Sequence, residues 1–409
     1  MTTLSAGRPV PTEQPVPAGQ PVPIGQPVPT GALGLRAVPG HPAAWFGRGA
    51  TNRLEQLFEA WDVRRCLVFR GDASYRACAE LVERAGRWRQ LRFVQARPQT
   101  GIAEIADALA VRAEFAPDTI LAIGGGSVLD LAKAVANLDP TAELASAITE
   151  NRLAARTMKL VLLPTTAGTG SELTRFATVW DGPIKRSLDG PGLRADLALI
   201  DPELAGSAPP QVAVAAAADA LCQAVESCWA VAGTEQSRQW AEQAYQVLVT
   251  AVAAGCARGS LTDPALREAL AWGAALAGTA IDTSRTTAAH ALSYPLTGRL
   301  GIPHGAAVGL QLPGLIEHNR PAGPSDWLTD LVDRLQDQCR QQAGTELAGL
   351  LRRLLTLGGF PTSPAELTRA GGWQEDCLAL LDSPRMRNNP RRLTRADLHR
   401  LLAGRSRPR

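Results

Sequence analysis

Apolar side chains follow two different rhythms in the two halves of this chain. Between about residue 40 and residue 205, short apolar runs alternate with stretches of helical spacing. Arg65–Phe69, Arg92–Val94, Thr119–Ile123 and Lys159–Leu163 read as strands, and Tyr75–Ala85 and Ala103–Arg112 read as helices between them. Thr119–Ile123 is apolar throughout its centre, as a strand covered on both faces should be. Strands alternating with helices predict βαβ units and a mostly parallel sheet. After Ile200-Asp201-Pro202 the spacing changes to recurrences at three and four. Long Ala/Leu-rich helices are predicted at Val212–Val231, Glu235–Ala254, Pro264–Ile281, Trp327–Gln341 and Glu346–Leu357. Thr394, ahead of Ala396-Asp397-Leu398, predicts a capped final helix.

Before either half comes a low-complexity stretch. Residues 9–31 repeat a unit close to Gln-Pro-Val-Pro-x-Gly. Proline at alternate positions blocks both helix and sheet, so an extended, mobile, polyproline-like tail is expected. Recognition of a partner through that tail is the alternative reading. The predicted organisation is a disordered tail over 1–36, an α/β dinucleotide-binding domain over 37–205 and a helical domain over 206–409.

Composition narrows the function classes. The 409 residues are 45% hydrophobic and 20% charged, enough for a substantial core. A net charge of +3 gives no argument for a nucleic-acid partner. The seven cysteines are dispersed, with no CxxC pair, and read as reduced thiols of a cytoplasmic protein. No signal peptide is apparent, and the apolar run from Val212 stops at Asp219, which gives no expectation of a membrane span.

Three features carry chemistry. Gly124-Gly125-Gly126-Ser127 follows the Thr119–Ile123 strand and opens a helical stretch containing Asp130 and Lys133. Glycines at such a turn let backbone approach a phosphate, although they equally serve a tight turn. Thr165-Thr166-Ala167-Gly168-Thr169-Gly170-Ser171-Glu172 follows the next strand, where hydroxyls and glycines suit a cofactor crevice or merely a flexible connection. In the helical half, Asp219 and Gln223 stand one turn apart, and His290 and His304 follow. Oxygen and imidazole donors together suit Fe(II), Zn(II) or a similar ion, and lone histidines are also common as structural residues.

The ordered motifs GGGSxxDxAK, TTAGTGSE, IDPEL, DALxxAxE, AHALxxPL and PHG resemble the iron-containing (group III) alcohol dehydrogenases over about residues 40–409. The resemblance implies a dehydroquinate-synthase-like fold, an α/β nucleotide-binding domain followed by an all-α domain, with the cofactor in the cleft between them. It implies cofactor contacts at Gly71, Gly125, Gly126, Ser127, Asp130, Thr165, Thr166, Thr169 and Ser171. Metal ligands are implied at Asp219, Gln223, His290 and His304, with Lys185 near the active cleft. Two positions depart from the family. Gln223 stands where a histidine ligand is usual, and Tyr294 replaces a histidine beside the nicotinamide. The segments around Asp219, His290 and Asn388-Asn389-Pro390-Arg391 are similar to one branch, the phosphonoacetaldehyde reductases.

The expected activity is therefore NAD(P)H-linked, metal-dependent reduction of a small aldehyde to a primary alcohol, with a proton relay through Tyr294 or water. Arg285, Thr286 and Thr287 are the expected partners of a phosphonate group, with a solvated helix end as the alternative for Arg285. Arg70-Gly71 replaces the ribose-binding acid usual after the first strand, which favours NADPH over NADH. A general short-chain alcohol dehydrogenase, a carbocyclic synthase on the same fold and a metal-free binding protein are the rival readings. A homodimer is left open.

Overall fold

The computed structural model describes residues 35–71, 75–76, 79–87, 89–97, 99–182, 184–320, 326–367 and 371–404. The proline-rich repeat lies outside the described residues, as does part of the predicted Tyr75–Ala85 helix. Arg36, assigned to the tail by composition, is instead the first residue of a strand and lies over the Trp272 ring at 4.3 Å.

Among the described residues of the first half, nine strands form: β1 (Arg36–Val38), β2 (His41–Phe46), β3 (Arg65–Arg70), β4 (Gln90–Gln95), β5 (Thr119–Gly124), β6 (Lys159–Pro164), β7 (Phe176–Asp181), β8 (Ile184–Asp189) and β9 (Leu197–Ile200). Seven of them make one sheet in the order β1-β2-β9-β6-β5-β3-β4, and β7 and β8 make a separate hairpin. Only β1 runs antiparallel within the large sheet.

The apolar runs of β3, β5 and β6 supply both faces of that sheet. Leu67, Phe69, Ile120, Ala122, Leu160 and Leu162 face the Ile102–Phe115 and Gly126–Asn137 helices. Cys66, Val68, Leu121, Ile123, Val161 and Leu163 face the Leu54–Ala60 and Ala79–Ala85 helices. Two-sided burial is why these strands lack the polar alternation of a half-exposed one. Each fully buried Leu or Ile contributes about 1.5–3 kcal/mol.

Helices dominate after β9: Pro210–Trp229, Glu235–Arg258, Pro264–Ser284, Ala288–Leu300, His304–Asn319, Trp327–Ala343 and Leu347–Leu357, then shorter ones to Arg395–Leu402. The last is capped by Thr394, whose side chain accepts from the Asp397 backbone N–H. The Pro210–Trp229 helix continues through Asp219 and is long and apolar enough to cross a membrane by composition. Yet 83% of its most apolar stretch is buried among the other helices. The halves meet where Val38, Ala44, Phe46, Ala198 and Ile200 pack on Ala271 and Ala275 of the Pro264–Ser284 helix.

Candidate active site

β4 and β5 lie on opposite sides of β3, so the strand order reverses there. Ligands of open α/β sheets bind outside the carboxyl ends of the strands at such a reversal. Gly71 follows β3, Gly125 follows β5 and Thr165 follows β6, and all three line one cavity of about 940 Å³. Gly125 is the N-cap of the Gly126–Asn137 helix, with no side chain capping it and no acid in the first turn. That arrangement suits a phosphate. A Cβ on Gly126 would stand 2.8 Å from Thr169 Cγ2, and one on Gly125 would stand 3.3 Å from Thr166 Cγ2. The two motif loops touch, and a side chain at Gly126 would have to displace Thr169. All nine expected cofactor positions line this cavity. Asp130, however, is engaged by protein, accepting from Ser171 Oγ at 2.6 Å and from the Thr178 N–H at 2.9 Å.

Lys133 explains how the second loop is held. Its side chain is fully buried and donates to Ser171 O at 2.7 Å, to Ser171 Oγ and Thr174 Oγ1 at 3.3 Å each, and to Phe176 O. Burial pushes its ammonium down to about 8 despite Asp130 and Glu172 nearby. The motif lysine is thus a tie between helix, loop and hairpin.

At the far end of the same cavity, Asp219, His290 and His304 bring ligand atoms within 4.8 Å of one another. They come from three helices of the second half: Pro210–Trp229, Ala288–Leu300 and the start of His304–Asn319. Gln223 Nε2 donates to Asp219 Oδ2 at 3.2 Å and to Thr169 O at 3.3 Å, while its Oε1 is buried with no hydrogen-bond partner. An orphaned buried carbonyl oxygen beside a carboxylate costs about 1–3 kcal/mol unless a cation satisfies it.

The hydrogen bonds prepare both imidazoles as ligands. His290 Nδ1 contacts Glu226 Oε2, leaving Nε2 toward Asp219 Oδ1 at 3.2 Å. Glu226 is itself fully buried and accepts from Thr287 N (3.0 Å), Thr287 Oγ1 (2.6 Å) and Ala289 N (3.0 Å). Ser293 Oγ donates to His290 O at 2.7 Å, so it must accept from His304 Nδ1 at 3.1 Å. That bond fixes the tautomer and leaves His304 Nε2 as a lone pair. Burial, then the Lys185, His290 and Arg385 charges, hold His304 well below its ordinary value. Burial opposes charge at His290 as well, but Glu226 and Asp219 hold its ring above the ordinary value. Two buried carboxylates therefore call for positive charge here. One carboxylate, two imidazoles and an amide oxygen fit a divalent ion such as Fe(II) or Zn(II).

Lys185, on β8, reaches this cluster from the other half. Its Nζ lies 3.4 Å from His304 Nε2 and 4.4 Å from the Tyr294 ring centroid. Burial and then Arg385 push its ammonium down to about 7, against Asp219 and Asp130. Burial lifts the Tyr294 hydroxyl above its ordinary value, so it is a neutral donor.

The three expected substrate partners separate. Thr286 lines the cavity. Thr287 does not: it is wholly buried, held by Glu226 and by Trp229 Nε1 at 3.2 Å, so it supports His290 through Glu226 instead of meeting substrate. Arg285 touches the cavity but is paired with Asp189, which also accepts from Arg175 Nε at 2.8 Å. Glu226, Ser293 and Arg385 went unassigned in the sequence reading. Glu226 and Ser293 were reachable by spacing, two turns after Asp219 and one turn after His290. Nothing local marked Arg385.

Sequence models of two families match: iron-containing alcohol dehydrogenase over residues 42–202, and the C-terminal region of the Fe-containing alcohol dehydrogenase family over residues 213–405. A phosphonoacetaldehyde reductase of Streptomyces viridochromogenes is 36% identical over 318 residues, 71% of this chain and 76% of the relative. A probable alcohol dehydrogenase EutG of Salmonella typhimurium is 30% identical over 316 residues, 74% of this chain and 76% of the relative. The crystal structure of sulfoacetaldehyde reductase from Bifidobacterium kashiwanohense in complex with NAD+ superposes with a TM-score of 0.76 at 25% identity, covering 88% of this chain and 97% of that one. The chain belongs to the iron-containing alcohol dehydrogenase family, and it is an iron-type alcohol dehydrogenase.

Proposed function

We propose that this enzyme reduces a two-carbon aldehyde bearing an oxyanion, phosphonoacetaldehyde, to 2-hydroxyethylphosphonate. The observation carrying this reading is the charge of the cavity wall beside the metal cluster. Lys185 and Arg385 flank the Tyr294 ring there, and neither is ion-paired to a carboxylate among the described residues. A wall of that charge rewards an anionic substrate over a neutral one. Similarity to a phosphonoacetaldehyde reductase and to a sulfoacetaldehyde reductase supports the same substrate class.

Asp219, Gln223, His290 and His304 would hold the metal, and the Gly125–Ser127 turn with the Thr165–Ser171 loop would hold the dinucleotide. When bound, the cation supplies Lewis acidity toward a carbonyl oxygen, and the nicotinamide supplies the hydride. The chain's own part is to orient the aldehyde and deliver a proton. Lys185 is suited to the proton step, because burial brings its ammonium close to neutrality. Tyr294 backs it as a protonated hydroxyl. We further propose that NADPH is used at least as well as NADH, since Gly71 offers no carboxylate to repel a 2′-phosphate and Arg97, 76% exposed, stands at the same mouth.

The test is reduction of phosphonoacetaldehyde and of propanal, with NADPH and NADH, in enzyme loaded with Fe(II) or Zn(II). A kcat/KM for propanal comparable to that for phosphonoacetaldehyde would instead mark a general short-chain alcohol dehydrogenase.

A further inference from the structure

We propose that Arg385 is the residue that grips the substrate's anionic group and so sets the specificity of the cavity. This rests on the anionic-aldehyde reading above and names the group that enforces it.

Arg385 lies on the short Pro384–Arg387 helix, far along the chain from every metal ligand. Asn388, next in sequence after that helix, rivets it to the site. Its Nδ2 donates to Ser284 O at 2.9 Å and to Thr286 O at 3.0 Å, and its Oδ1 accepts from the Ala232 N–H at 2.9 Å. These bonds carry the guanidinium into the cavity, where Nε donates to Thr286 Oγ1 at 3.0 Å. The guanidinium carbon lies 5.4 Å from the Tyr294 ring centroid, and that ring lies 6.0 Å from His304. One aromatic ring therefore separates Arg385 from a metal ligand.

The terminal guanidinium nitrogens have no partner among the described residues, because Nε alone is engaged. A half-buried fork at the cavity wall with two open nitrogens matches two oxygens of a tetrahedral oxyanion, such as a phosphonate or sulfonate. Arg285 is in the opposite condition. Asp189 already engages it, its guanidinium stacks on Phe176 at 4.9 Å, and its side chain is 47% exposed. It adopts φ +58, closing the Pro264–Ser284 helix, which is a structural duty. Of the two arginines beside Thr286, Arg385 is the one with no carboxylate partner among the described residues.

The experiment uses metal-loaded enzyme with NADPH. Arg385→Ala should lower kcat/KM for phosphonoacetaldehyde by about 10- to 150-fold, largely through KM, while the value for propanal falls far less. Arg385→Lys should recover part of the loss, since it restores charge without the fork. Ethylphosphonate, which lacks the carbonyl, should inhibit propanal reduction by the native enzyme and do so much more weakly with Arg385→Ala. Equal losses on both aldehydes, or unchanged inhibition by ethylphosphonate, would overturn the assignment. If the native enzyme prefers phosphonoacetaldehyde yet the variant loses both substrates equally, only the role of Arg385 fails. If the native enzyme neither prefers phosphonoacetaldehyde nor is inhibited by ethylphosphonate, the anionic-aldehyde reading fails with it.

Discussion

Glu226 is not among the clustered donors Asp219, His290 and His304, yet it organises one of them, His290. Its carboxylate gathers the Thr287 and Ala289 amides and the Thr287 hydroxyl while holding His290 Nδ1. Glu226→Gln keeps the shape and can keep an oxygen on those amides, but it turns a donor toward His290 Nδ1, which drives the ring proton onto Nε2. Metal affinity should fall about 10- to 100-fold, read by competition with a chelator, and an unchanged affinity would make Glu226 a packing residue only. Gln223→His should act in the other direction, tightening metal binding, because an imidazole replaces a neutral amide oxygen that has no partner. Glu172 gives a test by pH. Burial raises its carboxyl from 4.5 to about 7, so the folded chain favours the neutral acid. That stabilisation is complete below about pH 4.5 and is lost as pH rises through about 7. Relative to the native chain, Glu172→Gln should therefore gain several degrees in Tm between about pH 5 and about pH 8, and a constant difference would contradict the burial argument. The candidate donors were legible in the sequence because Asp219, Gln223, His290 and His304 sit in recognisable local motifs, and three of them, Asp219, His290 and His304, cluster in the fold. Arg385 was not, because its place is fixed by Asn388 bonds to backbone about a hundred residues away in sequence.

Among the elements, close helix contacts set the site's dimensions. A Cβ on Gly305 would stand 1.9 Å from Ala215 O and 2.7 Å from Asp219 Cβ. The helix that begins at His304 is thereby seated directly on the helix that carries Asp219. Gly305→Ala should force them apart, costing about 1–3 kcal/mol and lowering metal affinity together with Tm. Gly309→Ala, one turn on, is the control: its Cβ would meet nothing nearer than 3.6 Å, and helix propensity predicts no loss of stability. The buried parallel strands and the long helices follow their apolar spacing closely. The β7–β8 hairpin escaped that reading. Ile184-Lys185-Arg186-Ser187-Leu188-Asp189 buries only Leu188, and it is placed by pairing with β7, which packs on the Gly126–Asn137 helix, instead of by an apolar rhythm of its own.

The two halves are joined by charge as well as by apolar packing. Asp282, on the Pro264–Ser284 helix, accepts from the Arg175 N–H at 2.8 Å and from Arg194 Nε at 3.2 Å, and Arg285 pairs with Asp189. The cavity between the halves has cofactor loops at one end and the metal cluster at the other, so cofactor choice can be altered without touching the metal. Gly71→Asp should shift preference toward NADH while metal content stays constant. A native enzyme strongly specific for NADH would contradict the reading of Gly71.

All four candidate metal donors belong to helices of the second half, and the first half contributes Lys185 but none of those four. Thermodynamic linkage then makes the ion a clasp on one half of the chain. Metal present at a hundred times its dissociation constant would stabilise that half by about 2.7 kcal/mol, and the α/β half would feel this only through the shared interface. Withdrawal of metal should expose the helical half first to local opening and to proteases, which limited proteolysis with and without a chelator would read.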